Sequence, residues 1–169
     1  TDGLWRVDDG KAVNVMSDVP GDQRVTRLLA DGGSLWIGTW KGLKRLDMSA
    51  ASTPVIVAVN DILLNQRYIN ALYRDPQGRI WVGTYGGGLD RLDRDTGRFV
   101  HHRNDPDKPT SLPNDFVRFV VEDTRGELWV GTQGGGLARF DRDRGEFSSY
   151  RANPEDPSTL GSDFVFALH

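Results

Sequence analysis

Several groups of residues in this chain have the side chains that can do chemistry, so their spacing decides what they are for. Asp93-x-Asp95-x-Gly97 and Asp141-x-Asp143-x-Gly145 open like a calcium loop. An EF-hand also needs a third oxygen ligand and a closing bidentate Glu. Neither follows, and the segments fall where a hairpin turn belongs, so these aspartates are read as turn residues accepting from their own backbone amides. Asp75 and Asp123, each ahead of a turn glycine, are read the same way. His101 and His102 are adjacent, so on a strand they point to opposite faces and cannot easily grip one ion together. His169 ends the sequence. The turns "YGGGL" and "QGGGL" lack the Lys-Ser/Thr and the helix start that a phosphate loop requires, and read as plain strand connections. With no cysteine in the chain, disulfides, thiolate metal sites and cysteine nucleophiles are excluded. No Ser-His-Asp set, paired-acid cleft or zinc word assembles. The expectation is therefore no catalytic residue, no metal, no cofactor and no enzyme in this segment.

Residues suited to binding are better placed. Trp40, Tyr85 and Gln133 stand at equivalent positions inside words that otherwise repeat almost unchanged. Scaffold demands do not dictate them. Two aromatics and an amide suit stacking on a sugar face with hydrogen bonding at its edge. The segments "NDPDKPTSLPNDF" and "NPEDPSTLGSDF" align at a shift of 48, pairing Pro106 with Pro154, Pro109 with Pro157, Leu112 with Leu160 and Asp115 with Asp163. Proline stiffens both and leucine anchors them. Asn114, Asp115 and Asp163 could reach a ligand from these loops, although capping the loop is the role their residue types favour.

The elements that carry these residues follow from the repetition. "LWIGTWKGLKRLD" from Leu35, "IWVGTYGGGLDRLDRDTGRF" from Ile80 and "LWVGTQGGGLARFDRDRGEF" from Leu128 place Trp36, Trp81 and Trp129 45 and 48 residues apart. A further Gly3-Leu4 opens "GLWRVD" with no Trp-Gly-Thr word before it, and "FVFALH" from Phe164 opens one more copy. Within one unit, "DFVRFVVED", "ELWVGT", "LARFD" and "EFSSYR" read as short strands, separated by the turns "DTRG", "QGGG" and "RDRG". No helical period of useful length appears.

Four antiparallel strands repeated every 40 to 50 residues or so are the pattern of a propeller blade. A lone four-stranded sheet buries too little apolar surface, and stacking blades face to face repairs that. Trp129 and Gly131 share one strand face; the indole fills the space between blades and the glycine leaves room for the neighbour's side chains. Trp36, Trp81 and Gly83 are assigned the same structural roles. The expected fold is all-β: a β-propeller of four-stranded antiparallel blades present as a partial ring. It comprises a partial blade over 1–20, blades over 24–61, 68–104 and 116–151, and the start of another at 164–169. The ends read as the middle and the beginning of repeats, so the sequence reads as a fragment of one propeller domain. Exposed end blades imply self-association or pairing with remaining blades of a parent chain.

Composition bounds the partners. A formal net charge of −3 with both signs interspersed gives no basic footprint for nucleic acid. No apolar run is long enough for a membrane helix, so no direct membrane contact is expected of this segment.

The words "LYRDPQGRIWVGTYGGGL" at 72–89 and "VVEDTRGELWVGTQGGGL" at 120–137 resemble the two-component regulator propeller repeat, and "LLADGGSLWIGTWKGL" at 28–43 is a shortened copy. The resemblance implies the periplasmic sensory part of a bacterial inner-membrane receptor, whose cytoplasmic output is a histidine kinase, a hybrid kinase–regulator or a diguanylate cyclase. It also implies a carbohydrate, often an oligosaccharide, as the ligand. An interaction or dimerisation platform without a small ligand is the alternative. A propeller enzyme acting on polysaccharide is the third reading, and the missing catalytic sets weigh against it.

Overall fold

A computed structural model describes residues 4–8, 11–14, 24–48, 55–59, 64 and 68–168. Residues 1–3, 9–10, 15–23, 49–54, 60–63, 65–67 and 169 lie outside the described residues. The described residues are all-β, with no helix. One two-stranded and three four-stranded antiparallel sheets form, each in simple sequential order. Among the described residues these are propeller blades, three of four strands and one of two. The chain divides into two compact units, Thr1–Ile69 and Asn70–His169.

In the first unit, β1 (Trp5–Asp8) and β2 (Lys11–Asn14) form a hairpin, with Val7 opposite Ala12. The sheet that follows is β3 (Val25–Asp31), β4 (Ser34–Thr39), β5 (Gly42–Asp47) and β6 (Val55–Ala58). Gly32 turns β3 into β4 at φ 58°, a conformation that costs glycine little. Ile37 and Leu46 are buried, and Leu4, Val25 and Leu35 pack against them. The apolar fourth strand that stands out in the sequence pairs through Ile56 with Leu46 of β5.

The second unit holds two complete sheets. The first is β7 (Ile69–Arg74, its first residue counted with the other unit), β8 (Ile80–Thr84), β9 (Leu89–Leu92) and β10 (Phe99–His102). The second is β11 (Val117–Glu122), β12 (Leu128–Thr132), β13 (Leu137–Asp141) and β14 (Glu146–Tyr150). Every residue of β8 is buried, as a strand covered on both faces should be. The core shared by these sheets contains Trp81, Leu89, Val117, Leu128, Phe140 and Phe147. The Trp81 ring stands edge-on to Phe140 of the adjoining sheet, centroids 5.2 Å apart.

Two sequence readings need correction. A carbon added at Gly83 would lie 2.6 Å from Val117 of the adjoining sheet, so that glycine makes room for a neighbour. At Gly131 the space is taken instead by the Phe119 ring, its own cross-strand partner, 2.0 Å from the same hypothetical carbon. Phe119 aligns with Ala71, and the larger ring folds over the glycine where a methyl cannot. Residues 164–168 do not continue as a strand. Phe164 makes a single bridge to Gln133, and the Val165 amide donates to the Thr132 carbonyl at 3.1 Å. A ladder needs a facing strand, and the backbone bonds seen at this segment reach Gln133 and the end of β12.

Candidate functional site

The turn aspartates are built into the scaffold. Asp75 Oδ2 accepts from the Trp81 indole at 3.0 Å and from Arg79 Nε at 2.6 Å, while its Oδ1 takes the Arg79 amide. Burial alone would raise its pKa, but the Trp81 and Arg79 donors outweigh that and hold the carboxyl below its ordinary value. Asp123 repeats the arrangement with the Trp129 indole at 3.0 Å and is likewise lowered, foremost by that bond. Asp31 and Trp36 form a longer version at 3.4 Å. Asp93 Oδ1 accepts from the amides of Asp95 and Thr96, and Asp141 Oδ1 from those of Asp143 and Arg144. These carboxylates close their own turns. Among the described residues, no three or more His, Asp or Glu gather as a metal site would need.

The two adjacent histidines part company as strand geometry requires. His101 Nδ1 lies 2.6 Å from Oδ1 of Asp90, which also accepts from Arg103 at 2.8 Å. Asp90 is buried, and desolvation raises its pKa against the pull of Arg103 and His101. His102 sits on the other face, among Trp81, Phe140 and Phe147 with ring centroids 5.0 to 6.0 Å away. Burial first, then the charges of Arg91 and Arg103, lower its pKa to about 4.

The end of the second unit where β8 turns into β9 gathers the loop residues. Asp115 and Asp163 act as clasps at equivalent places. The Asp115 carbonyl accepts from Gly86 and Gly88, and the Asp163 carbonyl from Gly134 and Gly136, at 2.8 to 3.1 Å. Their Oδ1 atoms take the amides of Asn104 and Ala152, each 11 residues back and each at 2.7 Å. Asn114 Oδ1 caps the Phe116 amide at 2.8 Å. Glycine is obligatory at position 88, since φ is 75° and a side-chain carbon would lie 2.3 Å from the His102 carbonyl oxygen. Of the sequence candidates, Asn114, Asp115 and Asp163 are thus tied into the scaffold.

The aromatic candidates remain open. Tyr85 is 46 % exposed and meets Phe116 edge-on, centroids 4.6 Å apart and planes at 78°. The two residues also pair as a β-bridge, and the Gln133–Phe164 bridge repeats this pairing one sheet on. Beside it, Arg118 lies over the exposed Phe166 ring at 5.1 Å. In the first unit, Trp40 is 44 % exposed, lies 5.4 Å from the Tyr68 ring, and carries the Arg24 guanidinium 3.7 Å above its face. Sequence reasoning found Trp40, Tyr85 and Gln133 and missed their partners Tyr68, Phe116 and Phe164. The signal was present, for an aromatic opens each first-strand word at 48-residue intervals.

Comparison with known proteins finds a repeat family and several solved propellers that the chain is similar to. Residues 63–86 and 111–134 match the two component regulator propeller family. Two stretches of the chain thus match the two-component regulator propeller repeat. Among curated proteins none matches the sequence. Among solved structures, the extracellular domain of the putative hybrid two component system BT3049 from B. thetaiotaomicron is 25% identical, with a TM-score of 0.71 over 87% of this chain and 20% of that one. The corresponding domain of BT4673 from the same organism is 23% identical, with a TM-score of 0.64 over 80% and 20%. Virginiamycin B lyase from Staphylococcus aureus shares the fold at 16% identity and a TM-score of 0.61, over 89% of this chain and 48% of the lyase. The propeller repeats therefore span about a fifth of the length of the receptor domains they match.

Proposed function

We propose that these repeats form part of the sensory propeller of an extracytoplasmic two-component receptor, and that they bind a carbohydrate at the turn end of the blades. The observation that carries this reading is the open aromatic pair Tyr85–Phe116, matched by Trp40–Tyr68 in the other unit. An edge-to-face pair holds each ring rigid while leaving apolar surface to stack on a sugar face. The flanking turn is fixed by the Asp115 clasp, so little ordering is needed on binding. The likeness to extracellular domains of putative hybrid two-component systems supports an extracytoplasmic setting, which in our reading is periplasmic, in a receptor whose output is a histidine kinase or a cyclase.

Titration of the folded chain with a panel of neutral and acidic oligosaccharides by calorimetry tests the reading. Binding by at least one glycan, weakened tenfold or more in Tyr85→Ala, is expected. A well-folded chain that binds none of them would favour the interaction platform.

A further inference from the structure

We propose, on the glycan reading given above, that the side-chain amide of Asn114 is the hydrogen-bond donor that orients the sugar at the open aromatic turn, selecting a ring with an accepting oxygen at its edge. Asn114 is half-buried at the end of the loop that leads into β11. Its Oδ1 accepts the Phe116 amide at 2.8 Å. That bond settles which way the amide lies, with Oδ1 on the chain and Nδ2 turned from it. Two N–H donors remain on Nδ2, and no described residue takes them. Nδ2 lies 3.8 Å from where a side-chain carbon at Gly134 would stand. Gly134 follows Gln133, whose backbone amide donates to the Phe116 carbonyl at 2.9 Å. The Phe116 ring lies 3.3 Å from the corresponding point at Gly86, next to Tyr85. Phe116 is thus bracketed by the Tyr85–Gly86 turn and by the Gln133–Gly134 turn, against which Nδ2 sits.

Capping alone does not ask for asparagine. One repeat on, Ser162 holds the equivalent place, and its Oγ accepts the Phe164 amide at 3.0 Å. Serine gives the turn the one acceptor it needs. Asparagine supplies the same acceptor and carries a separate amide group beyond it, which the loop leaves unused. That group is also held in place. A carbon added at Gly135 would lie 2.6 Å from Cβ of Asn114, so the side chain packs directly on the β12–β13 turn. A rigid donor with an unmet hydrogen bond loses little entropy on meeting a ligand. Beside Tyr85 and Phe116 it gives the site both parts that a sugar needs, aromatic surface for the ring face and an amide for the ring edge. Nδ2 carries donors only, so it takes a hydroxyl, ring or acetamido oxygen.

Calorimetric titration of the full chain with tetrasaccharides of glucose, mannose and xylose tests this. Asn114→Ser should bind the recognised tetrasaccharide about threefold to tenfold more weakly, as the loss of one neutral hydrogen bond requires. It should keep the Phe116 amide as protected from hydrogen exchange as in the wild type, because serine caps the same turn. Among monodeoxy derivatives of that sugar, one should lose the same factor with the wild type and nothing with Asn114→Ser, since donor and acceptor are then already parted. Asn114→Asp keeps the cap and turns the donor into an acceptor, so it should bind no better than Asn114→Ser. An Asn114→Ser variant that binds as the wild type does, while Tyr85→Ala binds more weakly, overturns the proposal and leaves the glycan reading standing. So does a set of monodeoxy derivatives that each lose equal factors with both proteins. A folded wild type that binds none of the tetrasaccharides overturns both.

Discussion

The indole nitrogen of Trp81 donates to Oδ2 of Asp75 across 3.0 Å, joining the residue that fills the space between two sheets to the turn that begins its own strand. Both side chains are buried. One hydrogen bond thereby fixes the rotamer of the ring, and the ring fixes where the next sheet can pack. Asp123–Trp129 repeats the bond, and there the ring meets Tyr150 of its own sheet.

Truncation should separate these two contributions. Trp81→Ala is expected to lose about 3–5 kcal/mol of unfolding free energy. Trp129→Ala should lose clearly less, because its ring is only partly buried. Asp75→Ala should cost about 1.5–3 kcal/mol through the lost charged hydrogen bonds. Urea denaturation of the three variants checks the order.

Gly83 should resist even a methyl group. The added carbon would overlap Val117 Cγ1 at 2.6 Å and Ala71 Cβ at 3.0 Å. Overpacking of this kind costs about 1–3 kcal/mol, and Gly83→Val should cost more than Gly83→Ala. Gly97 at φ 69° has open space around it, so Gly97→Ala should carry only the backbone strain of about 1–2 kcal/mol. A Gly83→Val variant no less stable than Gly83→Ala would contradict the close approach of the two sheets.

Acid should loosen the second unit in two steps. His102 has a folded pKa of about 4 against an ordinary 6.5. Between those values the unfolded chain binds a proton that the folded one does not, so stability falls as pH drops from about 6.5 to about 4. The slope from one proton is at most about 1.4 kcal/mol per pH unit, reduced by the solvent that reaches the ring. Asp75, lowered from 3.8, contributes stability above that value, and this is lost as pH falls through its folded pKa. His102→Phe should flatten the first step and leave the second, as read from denaturation midpoints between about pH 2.5 and 7.5.

Much of the scaffold was legible because repetition exposes it. The Trp-x-Gly-Thr words, the turn aspartates and the period near 48 place strands and turns without tertiary information. The loop glycines and Asp115 were visible as a pattern, but the clasp between the Asp115 carbonyl and the preceding turn is a backbone bond that residue type does not encode. The Asp90–His101–Arg103 cluster escaped notice because it occurs in one repeat only; lysine and alanine stand at the positions equivalent to Asp90. The place of Phe119 over Gly131 also went unread, since its equivalents are the small residues Thr26 and Ala71.

Amide chemical-shift mapping of a bound oligosaccharide is the most direct test of the central claim that the open aromatic turns recognise a glycan. Shifts should concentrate at Tyr85, Gly86, Gly87 and Phe116 and leave the Gly97 and Gly145 turns, at the far end of the same sheets, unmoved. Shifts confined to those far turns, or a saturating glycan that leaves the Tyr85–Phe116 pair unperturbed, would contradict it.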